Sequence, residues 1–300
     1  MPSDDRRTSA GTQSPAPGDA VPLANPSVRV DVSGLSHTGK VRARNEDHFL
    51  VMRIGRYLET VVTSLPAGEI DARTEEAGYA MIVADGMGGH AGGEQASRTA
   101  ITELVKLVLA RPDWIFRLDK AVAADARQRS QKRFRALHTA LLKHAEQDRD
   151  LRGMGTTLTA VRNLGNRLQI VHVGDSRAYL LRKGSLHRLT RDHTYLQLLI
   201  DSGQLTKEQA ADFRLRHVLV NALGGLNEEV EVDVDQAELS NGDRILMCSD
   251  GLTDLVDDDT IRRVLVEQPD SKEACQRLID LALERGGKDN VTVIVASYTF

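Results

Sequence analysis

Apolar and polar positions alternate weakly over residues 28–33, and two further strand-like runs follow at 48–54 and 78–84. Residues 55–77 between them fit neither the strand nor the helix repeat, which leaves a hairpin extension or a loop open. Helical spacing then takes over at 94–109, with Ala96, Ala100, Leu104, Leu107 and Val108 on one side. Pro112 breaks the pattern. A second helix is predicted over 119–149, with Phe134, Leu137, Leu141 and Ala145 as its stripe. The Arg and Lys residues between those positions read as a solvated face rather than a binding patch. Strands are predicted at 156–161, 168–173, 178–182 and 185–189, separated by the turn signals Asn163-Leu164-Gly165-Asn166 and Lys183-Gly184. Residues 194–216 are polar and helix-like, with a break at Gly203. Strands return at 230–234 and 244–248, helices at 258–266 and 272–285, and a last strand at 291–298. No internal repeat is evident.

The order is strands, two long helices, strands, two helices, strand. This is not the βαβα alternation of a doubly wound parallel sheet. It predicts an α+β fold, a four-layer αββα sandwich of two stacked, mainly antiparallel sheets flanked by helix pairs. Residues 1–27 hold five of the eight prolines and no apolar period, so a disordered tail is expected there and one folded unit over 28–300.

The totals narrow the function. The chain has 300 residues, of which 41% are hydrophobic and 27% charged, an ordinary balance for a globular protein. Its net charge of −4 argues against a broad nucleic-acid surface. No apolar run approaches the ~18 residues of a membrane span, and no signal-peptide core precedes the fold, so a cytoplasmic protein is expected. Cys248 and Cys275 read as two separate buried thiols, with a disulfide between them left open. Neither is the nucleophile of a phosphate-binding Cys loop, because Asp254 and Leu281 stand where that loop needs an Arg.

The candidate chemistry lies in acids at the ends of apolar runs. Asp85 follows residues 81–84, Asp175 follows 170–174 and Asp250 follows 245–249, while Asp289 precedes 291–295. Strand ends hold side chains rigidly, and carboxylates from several such ends can converge on a cation. Glu46 and Asp47 add two more acids beside Arg42, whose guanidinium could grip a phosphate bidentately. The donors are all oxygens and no Cys or Cys/His pairing suggests zinc, so magnesium or manganese is the match. Two such ions can turn a bridging water into hydroxide near neutral pH. Taken singly, each acid has a plainer reading: a charged surface turn at 42–47, a hairpin turn with a local ion pair at 175–177, a turn at 289–290. Two decoys are weak. Gly86-x-Gly88-x-x-Ala91 fits a loose dinucleotide fingerprint, but Asp85 would face the pyrophosphate. Gly34 to Lys40 resembles a P-loop, but Val41 replaces its hydroxyl residue.

In order along the chain, Arg42-x-x-Asn45-Glu46-Asp47, Asp85-Gly86-Met87-Gly88-Gly89-His90, Gly155-Thr156-Thr157, Gly174-Asp175-Ser176-Arg177, Ser249-Asp250-Gly251 and Lys288-Asp289-Asn290 resemble the motifs of the metal-dependent type 2C protein serine/threonine phosphatases (the PPM family) in their bacterial form. The resemblance covers residues 30–299. It implies an αββα sandwich with a binuclear Mn²⁺ or Mg²⁺ site at one edge between the sheets. Asp85, Asp250 and Asp289 would ligate one ion. Asp85, the Gly86 carbonyl and Glu46 would serve the other. Asp175 and Asp250, with Asp254 in support, resemble a third site. Asp47 would orient metal-bound water, Arg42 would bind the substrate phosphate, and His90 is similar to the general acid. Residues 194–225 fall where the family carries a flap. The implied substrates are phosphorylated proteins, with a cognate Ser/Thr kinase as counterpart and no nucleic-acid or membrane partner. Two other readings stay open: a phosphatase dedicated to one stress-pathway regulator, and a non-catalytic phosphoprotein-binding module.

Overall fold

The structure, a computed structural model, describes residues 28–88, 92–110, 120–206, 209 and 213–300. The expected tail at 1–27 and the helix break at Pro112 lie outside the described residues. Strands β1 (Arg29–His37), β2 (Asp47–Glu59) and β3 (Arg73–Met87) come first, then helices α1 (Gly92–Leu109) and α2 (Lys120–Gln147). Next are β4 (Gly155–Thr156), β5 (Leu158–Leu164), β6 (Arg167–Val173), β7 (Arg177–Arg182) and β8 (Ser185–Arg188). They are followed by α3 (Tyr195–Asp201), β9 (Leu223–Gly224), β10 (Asp233–Glu238) and β11 (Arg244–Cys248). The described chain closes with α4 (Asp250–Thr253), α5 (Asp258–Glu267), α6 (Ser271–Glu284) and β12 (Val291–Thr299).

One sheet runs β1-β12-β11-β7-β8, and the other runs β10-β6-β5-β3-β4-β9 with β2 also paired to β3. Every ladder is antiparallel. The central strands read as unbroken apolar runs because both their faces are buried. In β3, Met81 and Val83 face the opposite sheet, whereas Ile82 and Ala84 face α1 and α2. In β11, Ile245 and Met247 likewise point between the sheets, while Leu246 and Cys248 point toward α5 and α6. Side chains on a strand alternate between faces, so a solid apolar run supplies two cores at once. Three apolar layers result: Leu137 and Leu141 of α2 anchor one, Leu278 of α6 another, and Tyr298 closes the one between the sheets. This is the expected αββα sandwich. Cys248 and Cys275 are both free and buried, and burial pushes each thiol up to about 12.

One open reading is decided and one expectation needs correction. Residues 55–77 are the hairpin extension of the two alternatives: β2 and β3 stay paired out to Glu59 and Arg73. Tyr57 and Leu58 are exposed there, and the Arg73 guanidinium lies 4.4 Å above the Tyr57 ring. A two-stranded ribbon clear of the core has no buried face, so it leaves no apolar alternation. The strand expected at 230–234 starts instead at Asp233, which pairs with His172. Val230 and Val232 are buried in the layer against α2, so their alternation is real although their backbone is not in the ladder.

Gly78 carries a sharp packing constraint. A Cβ there would come 2.0 Å from the Asn163 carbonyl oxygen. Asn163 is itself fixed, its side chain accepting the Tyr79 N–H at 3.0 Å. Gly78→Ala should therefore destabilise the protein by roughly 1–3 kcal/mol, read as a lower denaturation midpoint at unchanged slope.

Candidate metal centre

The acids singled out in the sequence come from separate elements and meet at one end of the two sheets. Asp47 opens β2 and lies in register opposite Asp85 of β3. Asp175 sits in the turn between β6 and β7, Asp250 starts α4 directly after β11, and Asp289 precedes β12. Arg42, Glu46, Asp85, Asp175, Asp250 and Asp289 line one open cleft of about 890 Å³, as does Gly86. Asp47 stands behind it, 4% exposed. His90 lies outside the described residues.

Local hydrogen bonds explain how these groups are held. Ser249 Oγ donates to Asp47 Oδ2 at 2.6 Å and Thr292 Oγ1 donates to the same oxygen at 2.8 Å. The Asp47 N–H donates to Asn45 Oδ1. Asn290 fastens the segment around Arg42 to β12. Its amide donates to the carbonyls of Thr38 and Arg44, and its Oδ1 accepts the Glu46 N–H at 2.8 Å. Thr157 performs the same service for Asp85: its N–H donates to the Asp85 carbonyl at 2.9 Å, and its Oγ1 accepts the Asp85 N–H at 3.0 Å. Arg42 Nη2 reaches Asp289 Oδ2 at 2.6 Å, both side chains being partly open to solvent.

The electrostatics of this cluster are unfavourable without a counter-ion. Burial first, then the neighbouring carboxylates, push Asp85 and Asp250 well above the usual range. Burial and Asp192 raise Asp175 to about 7 against the pull of Arg177. Burial raises Asp47 to about 6 despite the hydroxyls of Ser249 and Thr292. Burial also raises Glu46. Acids this close cannot all ionise unless a cation sits among them. Asp47 Oδ1 is buried with no hydrogen-bond donor among the described residues. An orphaned carboxylate oxygen behind a ring of carboxylates fits a hydrated hard cation, and the donor set fits Mg²⁺ or Mn²⁺.

Sequence reasoning missed the opposite rim. Arg216 and His217, from the segment after α3, line the same cleft. His217 Nδ1 lies 3.3 Å from Asp254 Oδ2, and ligand atoms of His217, Asp250 and Asp254 all fall within 4.8 Å of one another. No motif marks His217; only its place within 194–225 could have drawn attention to it. Asn290, Ser249, Thr157 and Thr292 were missed as supports because their partners are distant in sequence. Arg177 forks onto Asp192, its Nη2 at 2.7 Å, so its ion pair reaches fifteen residues along the chain rather than closing locally on Asp175 as the turn reading expected.

Comparison with known proteins follows the same lines. A family model described as protein phosphatase 2C matches residues 69–284. The serine/threonine protein phosphatase PstP of Mycobacterium tuberculosis is 45% identical over 235 residues, covering 76% of this chain and 43% of that protein. The chain thus spans less than half the length of this relative. The serine/threonine phosphatase stp of Listeria welshimeri is 34% identical over 215 residues, covering 72% of this chain and 82% of that protein. A crystal structure of the PstP catalytic domain in complex with 2 manganese ions superposes with a TM-score of 0.70 at 39% identity, covering 91% of this chain and 100% of that one.

Proposed function

The chain belongs to the protein phosphatase 2C family, and on that premise we propose that it is a metal-dependent protein serine/threonine phosphatase using two Mn²⁺ or Mg²⁺ ions. The observation that carries this reading is the convergence of Glu46, Asp85, Asp175, Asp250 and Asp289 on one cleft. Residues 28–300 form the catalytic unit of the proposal, residues 1–27 a disordered tail and residues 194–225 the flap. Its substrates are phosphoserine and phosphothreonine proteins, and a Ser/Thr kinase supplies them. No helix among the described residues is long and apolar enough to cross a membrane; the proposal places the enzyme in the cytoplasm.

In the proposed mechanism, Asp85, Asp250 and Asp289 would hold one ion, and Asp85, the Gly86 carbonyl and Glu46 would hold the other. Asp175 with Asp250 and Asp254 would hold a third. Bound there, the ions acidify a water and neutralise phosphate oxygens. The protein's own groups do the rest. Asp47, fixed by Ser249 and Thr292, offers its free Oδ1 to orient a water proton. Arg42 exchanges its Asp289 partner for two phosphate oxygens, a bidentate grip suited to a planar guanidinium. His90 donates the proton that lets the seryl or threonyl alkoxide leave.

The test is release of phosphate from a phosphothreonine peptide and of nitrophenol from p-nitrophenyl phosphate. Manganese-dependent turnover, abolished by chelation, is the expected result. Saturable phosphopeptide binding with no turnover above the metal-only blank would make the protein a binding module instead.

A further inference from the structure

The flap segment begins and ends at one buried histidine. His193, 6% exposed, immediately precedes the Thr194 cap of α3. The far end of the segment returns to the same place. The Val220 N–H donates to the His193 carbonyl at 2.9 Å, the Tyr195 N–H donates to the Val218 carbonyl at 2.8 Å, and Thr194 bridges to Leu219. Asn221 Nδ2 lies 2.7 Å from His193 Nδ1. Asn221 is oriented by strand-like pairing with Glu231, whose N–H donates to its Oδ1 and whose carbonyl accepts from its Nδ2.

The same ring nitrogen also faces the loop that carries Asp175. The Gly174 N–H donates to His193 Nδ1 at 3.1 Å, and the His193 N–H donates to the Gly174 carbonyl at 2.8 Å. Gly174, one residue before Asp175, has φ +108°, and a Cβ there would meet Thr157 Cβ at 2.5 Å. Thr157 in turn exchanges two hydrogen bonds with the backbone of Asp85. One continuous chain of contacts therefore runs from Asn221 through His193, Gly174 and Thr157 to Asp85.

The donors fix the tautomer. A backbone N–H and an amide NH₂ both point at Nδ1, so that nitrogen carries no proton. The ring proton is on Nε2, which faces Asp233 Oδ2 at 3.1 Å. His172 packs beside the ring, centroids 4.9 Å apart, and leaves it one orientation.

We propose that His193 is a positioning residue that ties both ends of the flap to the loop carrying Asp175, through an unprotonated Nδ1 shared by Gly174 and Asn221. Flap and loop then depend on one shared nitrogen: removing it loosens both, whereas removing one donor loosens only that donor's side. The inference rests on the proposed phosphatase reading for its kinetic consequence, but its metal-binding consequence can be read without turnover.

The two donors can be separated. His193→Phe keeps a ring and loses both nitrogens. His193→Asn returns an acceptor near the position of Nδ1, whereas His193→Gln returns an amide near Nε2 only. Asn221→Ala releases the flap and leaves Gly174 bonded. Binding of manganese chloride alone is followed by calorimetry, and KM and kcat are measured on a phosphothreonine peptide. His193→Phe should weaken manganese binding by about 10-fold or more and lower kcat/KM by about 10²-fold. His193→Asn should recover most of both losses and His193→Gln little. Asn221→Ala should raise KM with manganese affinity unchanged. Should the Phe protein not fold, the contrast between Asn and Gln at matched melting temperature decides. Asn and Gln variants that behave alike, or a Phe variant that binds manganese like the parent, would overturn the proposal. A parent protein that releases no phosphate would instead sink the phosphatase reading, with the calorimetric arm still informative about His193.

Discussion

Replacing Asp85 with asparagine should lower manganese-supported turnover by about 10³-fold or more while raising the melting temperature of the metal-free protein. Both effects follow from one geometry. Asp85 lies among Asp47, Asp250, Asp175 and Asp289, and burial together with these neighbours penalises its charge. Asparagine keeps the shape and the backbone bonds to Thr157 but removes one charge from that cluster. The metal-free fold is thereby relieved, and the strongest shared ligand of the proposed ion pair is lost. The measurement is paired: initial rates with saturating manganese, and thermal unfolding in chelator. A variant that melts lower than the parent in chelator would mean that Asp85 is held by contacts stronger than the repulsion described above. A variant with near-normal rate would remove it from the mechanism.

The metal-free protein should also lose stability as pH rises above about 6.5, and manganese should reverse that trend. The direction follows from proton linkage. Asp175 is raised to about 7, and Asp85 and Asp250 are raised well above the ordinary value. Their unfolded counterparts ionise near pH 4, so within this window the folded state binds more protons than the unfolded state. Stability present below the unfolded value is lost as pH rises through the folded one. Groups shifted the opposite way act mostly below this range: Asp257, held near 2 by the Thr260 hydrogen bonds, titrates far below it, and His172 and His48, both lowered by burial, oppose the trend only until their unfolded counterparts, which titrate near 6.5, have become neutral by about pH 7.5. Manganese takes the place of the protons, so its stabilisation should grow with pH, reaching roughly 2.7 kcal/mol at a hundredfold excess over its dissociation constant. The check is thermal unfolding across this range with and without manganese. A metal-free melting temperature that is flat or rising would show that the cluster is already compensated.

The sequence disclosed the fold where burial is two-sided and the site where an acid ends an apolar run. Residues 81–84 and 245–248 were legible as strands because both faces enter a core. Asp85, Asp175, Asp250 and Asp289 were legible because each borders an apolar run, although β3 itself continues past Asp85 to Met87. The outer hairpin was not, since Tyr57 and Leu58 have no buried face to impose a period. Nor were the supports. Asp47 depends on Ser249 and Thr292, more than 200 residues away in the chain, and Asn290 depends on the carbonyls of Thr38 and Arg44. Such long-range polar contacts leave no periodic trace, and a Ser or Thr inside a motif does not announce which distant carboxylate it serves.

The two thiols have a practical corollary. Cys248 and Cys275 are sequestered in the layer beneath α5 and α6, and their low acidity keeps them from attacking electrophiles at neutral pH. The folded chain should therefore react only slowly with maleimides, checked by mass spectrometry after labelling at neutral pH. A single cysteine introduced at exposed Leu215 would be the main attachment point for a fluorophore, and opening of the segment above the cleft could be followed in real time without first stripping the scaffold of sulfur.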